Sequence, residues 1–273
     1  MPAQDFDLRS RYLDVDDRLV ELKTLMEEAS FAEADFREKF DMSWVYHDCG
    51  LEGMVLSYHE IKAAIDRKVV SDNHLIPTYT LIKNLKTAMD YIREQAMKKA
   101  ARVNVQMMQD VHAILVKGFE KYEPGAYRKD IPIHRNYFHE ISPPQKVSAR
   151  IDKLMELVGA AEFRSWHPIK QAAAFHHEFM GAFPFTDHSG QVGRLLMNFF
   201  LLRGDYLPAV IHAVDRQRYY ESLRGTNSLA LREHLVDALE NALESAVHYH
   251  RDALKTADMI RRARPETRTS AAK

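Results

Sequence analysis

Residues 183–198 read F-P-F-T-D-H-S-G-Q-V-G-R-L-L-M-N, and the rest of the chain is organised around them. Before them, residues 168–182 place Ile169, Ala172, Ala173, Phe179 and then Phe183 at helical spacing. After them, residues 193–202 form a second, very apolar helical run. Between the two lies a short loop with Pro184, Asp187, Ser189 and Gly190. A loop that feeds the N-terminus of a buried helix is a natural anion site, because free backbone N–H groups and the helix dipole both favour negative charge there. Asp187 could hold a hard cation such as Mg²⁺. Arg194, one turn into the helix, could reach a phosphate. A plain helix–loop–helix, with Asp187 near a helix start and Arg194 in a salt bridge, fits the same residues.

Composition sets the outer limits. With 273 residues, 46% of them apolar, the chain can bury a globular core as one large domain or two small ones. A formal net charge of −1 gives no global pull toward nucleic acid or an anionic membrane. Cys49 is the single cysteine, so neither an intrachain disulfide nor a cysteine zinc cluster can form. Residues 1–11 are polar and lack the apolar core of a signal peptide. No apolar run reaches the ~18 residues of a membrane span. A cytoplasmic protein with no membrane or nucleic-acid partner is expected.

The central stretch resembles the signature of the Fic (Fido) family, H-P-F-x-(D/E)-G-N-G-R-x-x-R, which often continues into L-L-M-N. Without gaps, the chain keeps Pro184, Phe185, Asp187, Gly190, Arg194 and the run 195–198. It departs at four positions. Phe183 stands at the family's catalytic histidine, His188 at the first loop glycine, Ser189 at the loop asparagine and Gln191 at the first arginine. The resemblance covers roughly residues 49–223 and implies an all-α helical bundle with one β-hairpin flap. It also implies Mg²⁺ at Asp187, and ATP or another nucleotide held at Ser189, Gly190, Gln191 and Arg194.

In chain order, residues 14–29 and 31–45 read as helices with apolar faces. Residues 48–60, D-C-G-L-E-G-M-V-L-S-Y-H-E, read as a turn, because Gly50 and Gly53 interrupt the pattern. Ser57 and Glu60 match a capping box for a helix over 58–69. Glu52-Gly53 also resembles the end of the family's inhibitory helix, (S/T)-x-x-x-E-(G/N), with Asp48 at the Ser/Thr position. The resemblance makes Glu52 the inhibitory partner of Arg194. Residues 77–99 form a long amphipathic helix, and Asn104 caps another over 105–119. Residues 125–144 alternate in a β-like way, with Pro132 marking an edge strand. This stretch resembles the family's flap, with Ile131, Pro132, Ile133 and His134 as the strand on which a protein target would dock. Residues 144–161 and 229–260 are helical, and 261–273 a loose tail. The expected division is 1–75, N-terminal helices with the inhibitory segment; 76–260, the Fic-like core; and the tail.

Three functions follow. The first is a divergent Fic protein that has lost ordinary AMP transfer and binds a nucleotide, a phosphate or a protein partner, as monomer or homodimer. The second is an enzyme of altered chemistry, with Asp187 and His188 as catalytic residues acting on a phosphate-bearing or small-molecule substrate. The third is a metal-dependent enzyme in a helical bundle using Asp187, His188 and His134. No H-x-x-x-H or E-x-x-H pair supports it.

Overall fold

The computed structural model describes residues 3–66, 73–132 and 139–263. Among them the α-helices are α1 (Ala3–Glu28), α2 (Glu33–Leu51), α3 (Tyr58–Ile65), α4 (Ile76–Met97), α5 (Val105–Leu115), α6 (Val147–Gly159), α7 (Ala161–Ser165), α8 (Pro168–Ala182), α9 (Ser189–Arg203), α10 (Arg216–Ser222) and α11 (Leu229–Ala263). The centre is α9, whose residues are buried from Ser189 to Leu201. A helix that is apolar nearly all round must be enclosed. Accordingly α8, α4 and α5 pack on α9, α11 and α6 pack on α8, and α1 lies along α11. One apolar cluster runs from Leu8 in α1 to Val247 in α11, so the N-terminal helices share the core with the rest.

Local signals in the sequence set several helix starts. Asn104 accepts a bond from the Met107 N–H at 2.8 Å and opens α5. Ser57 and Glu60 close a capping box at the start of α3. Pro168 sits in the first turn of α8, where its missing N–H costs nothing.

Several expected boundaries move. The first helix begins at Ala3 and not at residue 14, the helix after Asn104 ends at Leu115 and not at 119, the stretch 144–161 divides into α6 and α7, and α11 runs to Ala263. Two further shifts fall at the site. Residues 48–51 belong to α2 and not to a turn. Gly50 stays helical within α2, and a Cβ there would lie 2.6 Å from the Ala213 Cβ, so its absence lets the segment before α10 close on α2. The chain then leaves the helix at Gly53, whose φ of 87° is a left-handed conformation that glycine adopts freely. Helix α9 starts at Ser189, four residues before the apolar run that marks it in the sequence.

The β-hairpin is a correction. No strand occurs among the described residues. Ile131 is exposed and Pro132 half-buried in irregular backbone, and Ile133 and His134 lie outside the described residues. Each described arm spends a backbone donor on the end of α8 and the connection that follows it. The Arg128 N–H donates to the Pro184 carbonyl at 2.8 Å, and the Ser142 N–H donates to the Gly181 carbonyl at 2.9 Å. Backbone donors spent on the α8–α9 connection are not available for a ladder.

Candidate functional site

The site is the connection from α8 to α9 and the C-terminal end of α2 that lies against it. Helix α8 ends at Phe183, which takes the left-handed conformation at φ 46° and donates its N–H to the Phe179 carbonyl at 2.8 Å. The Phe183 ring is only 6% exposed and packs near His139. The carbonyls at this end of α8 are capped by Arg128, itself buried. Its Nε donates to the Phe183 carbonyl at 2.6 Å, and its Nη2 donates to the Ser142 carbonyl and, at 3.4 Å, to that of Ala182. A cation at a helix C-terminus completes both the dipole and the orphan carbonyls.

The loop is closed from within. Ser189 Oγ accepts from the Phe185 N–H at 2.8 Å and donates to the Phe185 carbonyl at 3.0 Å. The Phe185 ring stacks on His112 with centroids 4.0 Å apart. His112 is pushed down to about 4, chiefly by burial and then by His188. Asp187 is half-buried; one carboxylate oxygen accepts the Tyr122 hydroxyl and the other the His188 N–H at 3.0 Å. Burial, and then Asp187, holds the Tyr122 phenol well above its usual range. His188 is the residue before α9 and, at φ 58°, is also left-handed.

The first turn of α9 faces α2. Arg194 is 3% exposed. Its Nε donates to Asp48 Oδ1 at 2.6 Å and its Nη2 donates to Glu52 Oε1 at 2.6 Å. Burial opposes its charge, yet Asp48 and Glu52 hold its guanidinium well above the ordinary value. Its Nη1 is buried and has no hydrogen-bond partner among the described residues. Glu52 Oε1 lies where a Cβ on Gly190 would come within 2.6 Å, so the carboxylate rests on the opening turn of α9. Gln191, also buried, donates its Nε2 to Asp48 Oδ2 at 2.9 Å, and its Oε1 meets His188 Nδ1 at 2.6 Å.

The candidate residues of the sequence therefore fall into one place. Glu52, Gly190, Gln191, Arg194 and His188 are contiguous, and Asp187 and Ser189 lie one residue to either side of His188. Ile131 and Pro132 stand apart, on the segment after Arg128, and His134 is outside the described residues. No group of three or more His, Cys, Asp or Glu side chains is placed to hold a metal among the described residues. Sequence reasoning missed the charge partnership of Asp48 and the capping role of Arg128; the turn assignment hid the first. Beside the site, His177 is 9% exposed and its Nε2 meets the Gly225 carbonyl at 2.9 Å. Tyr219 and Tyr220 are buried, with the Tyr219 hydroxyl 2.8 Å from His176 Nε2. Arg218 pairs with Asp237.

The model of the Fic/DOC family matches residues 102–201. A protein adenylyltransferase Fic from Aedes aegypti is 25% identical over 203 residues, 73% of this chain and 40% of that one. The chain thus spans well under half the length of that relative. Among solved structures, Fic-1 from C. elegans superposes with a TM-score of 0.75 at 20% identity, covering 94% of this chain and 75% of that one. A Fic-domain-containing signalling protein from Bacteroides thetaiotaomicron gives 0.69 at 21% identity, covering 89% and 97%. At such identities the two structures speak for the fold alone. No described helix is long and apolar enough to cross a membrane.

Proposed function

From the premise that this chain belongs to the Fic/DOC family, we propose that it binds a nucleotide or phosphate at the start of α9, or a protein partner, and does not carry out ordinary AMP transfer. The observation that carries the binding half is Arg194. A buried guanidinium with an unpartnered Nη1, set against the opening turn of α9, is chemistry suited to a phosphate. Glu52 and Asp48 supply negative charge beside it.

The other half follows from Phe183. In the reaction that the resemblance implies, a side chain at this position takes the proton of the target hydroxyl. Phenylalanine has no proton-accepting group, and losing a general base costs roughly 10²–10⁴-fold. The Ser189 hydroxyl is spent on closing its own loop, and Gln191 brings no charge to a phosphate. Three changes thus weigh on one transition state. Asp187 fits a Mg²⁺ held mainly by phosphates, since it offers one half-buried carboxylate. When bound, the ion would neutralise phosphate charge.

One observation favours a second reading, an enzyme with His188 as its base. Asp48, paired with Arg194, accepts from Gln191, so the Gln191 carbonyl faces His188 and its Nδ1 must donate. That leaves Nε2 with a lone pair and with no hydrogen bond among the described residues. Labelling by the unmodified protein with ATP, abolished by His188→Ala, would establish this reading.

Calorimetric titration with ATP, ADP and GTP in the presence of Mg²⁺ tests the first reading. A saturable heat for at least one nucleotide is expected, weakened by the carboxylates already on Arg194. No saturable heat at millimolar concentration, in the wild type and in variants lacking those carboxylates, refutes nucleotide binding.

A further inference from the structure

Three of the residues that depart from the family pattern touch one another. Asp48 Oδ2 accepts from Gln191 Nε2 at 2.9 Å, and Gln191 Oε1 accepts from His188 Nδ1 at 2.6 Å. We propose that Asp48, more than Glu52, decides whether the phosphate end of the site is available. The inference rests on the nucleotide-binding reading given above.

The two carboxylates are not equivalent. Asp48, in the last turn of α2, and Glu52, the residue that caps its end, are four residues apart and fall on one side of the helix terminus. Asp48 uses both oxygens, one on Arg194 Nε at 2.6 Å and one on Gln191, and its side chain is 2% exposed. Glu52 makes a single bond to Arg194 Nη2 at 2.6 Å, and its side chain is 21% exposed. An ion pair out of water is screened little, whereas one that solvent reaches is weakened. Removing Glu52 clears the space beside Gly190 but leaves Arg194 paired with Asp48. An entering phosphate then meets a buried negative charge beside the cation it needs. A neutral side chain at position 48 would leave Arg194 to Glu52 alone, and Glu52 would then be the single gate.

The end of α2 is also fastened from the far side. The Arg216 Nε donates to the Leu51 carbonyl at 2.8 Å, and Ala213 closes on Gly50. Asp48 therefore links a fixed helix end to α9 through Arg194 and Gln191 together. The chain ending at His188 commits the first turn of α9 to α2.

The test titrates ATP with Mg²⁺, and inorganic pyrophosphate separately, into wild type, Glu52→Gly, Asp48→Asn/Glu52→Gly and Asp48→Ser/Glu52→Gly, each checked for a native circular-dichroism spectrum. Glu52→Gly should tighten binding by less than about threefold and both double variants by tenfold or more. Because asparagine keeps the shape of Asp48, equal gains in the two doubles assign the block to charge. Glu52→Gly alone matching the doubles overturns the role of Asp48 while leaving nucleotide binding intact. A gain confined to the serine double overturns the charge argument. Absence of binding in every folded variant removes the nucleotide reading, and hydrogen exchange then decides the latch by itself. Amides of residues 48–53 should lose protection in Asp48→Ser and keep it in Glu52→Gly. Unchanged exchange in Asp48→Ser overturns the proposal.

Discussion

Replacing Arg128 by methionine should destabilise the whole protein, although Arg128 lies in irregular backbone outside every helix. Methionine retains much of the stem and removes the guanidinium. The buried carbonyls of Phe183 and Ser142 then lose a charged donor, as does the more distant carbonyl of Ala182. Bonds from a charged donor contribute roughly 1.5–3 kcal/mol each, and a buried acceptor left unmade costs its desolvation. Two strong bonds give a loss of about 3–6 kcal/mol, with the longer contact to Ala182 adding little. At roughly 2–4 °C per kcal/mol for a chain of this size, the melting temperature falls by roughly 6–24 °C. Urea denaturation followed by circular dichroism reads the free energy directly. Arg128→Lys, which keeps a charge but not the fork, should recover less than half of the loss. A loss below about 1 kcal/mol for Arg128→Met would refute the claim that this guanidinium holds the end of α8.

Two further outcomes follow from burial. His112 and His176 are pushed down to about 4 and about 3, chiefly by burial, from an ordinary value near 6.5. Above that value both states hold neutral imidazole; below it the unfolded chain takes up protons that the fold refuses. Stability should therefore fall between pH 6.5 and about 4, by about 1.4 kcal/mol per pH unit for each histidine. Urea midpoints at pH 7 and pH 5 check this, and a midpoint independent of pH would count against it; His176→Gln should flatten the slope. Gly50→Ala places a Cβ 2.6 Å from that of Ala213, where both neighbours are backbone-bound, and should cost about 1–3 kcal/mol by overpacking. A neutral Gly50→Ala in the same denaturation assay would mean that the segment before α10 gives way freely.

The helices were legible where apolar spacing and caps agree. Residues 168–182 coincide with α8, and Asn104 and Ser57 cap as their chemistry requires. The errors have a common source, because local preference was overruled by tertiary contact. Gly50 signals a break in isolation, yet in the fold it remains helical under Ala213. Alternation at residues 125–144 signals a hairpin, yet the backbone donors of Arg128 and Ser142 find acceptors at the end of α8. The site was legible through its motif, which groups residues 187–194 by sequence alone. The contribution of α2 could be read only for Glu52, by resemblance. Asp48 as a buried counter-charge was not legible, because a carboxylate in a presumed turn carries no sign of where its partner lies.

Under the proposed function, residues 183–194 depart from ordinary AMP-transfer chemistry at more than the position of the base. The most direct measurement is label transfer from α-labelled ATP with Mg²⁺ to the single variant Phe183→His. Restoring an imidazole leaves His188 at the start of α9, Ser189 closed on Phe185 and Gln191 bound to Asp48, with Glu52 still on Arg194. Because these act on one transition state, repairing one leaves the others limiting, and no measurable transfer is expected. Detectable label should need Phe183→His, His188→Gly, Ser189→Asn and Gln191→Arg together with Glu52→Gly. Robust labelling of the single variant would contradict the account, showing that the loop accepts ATP as it stands and that only a proton acceptor was missing.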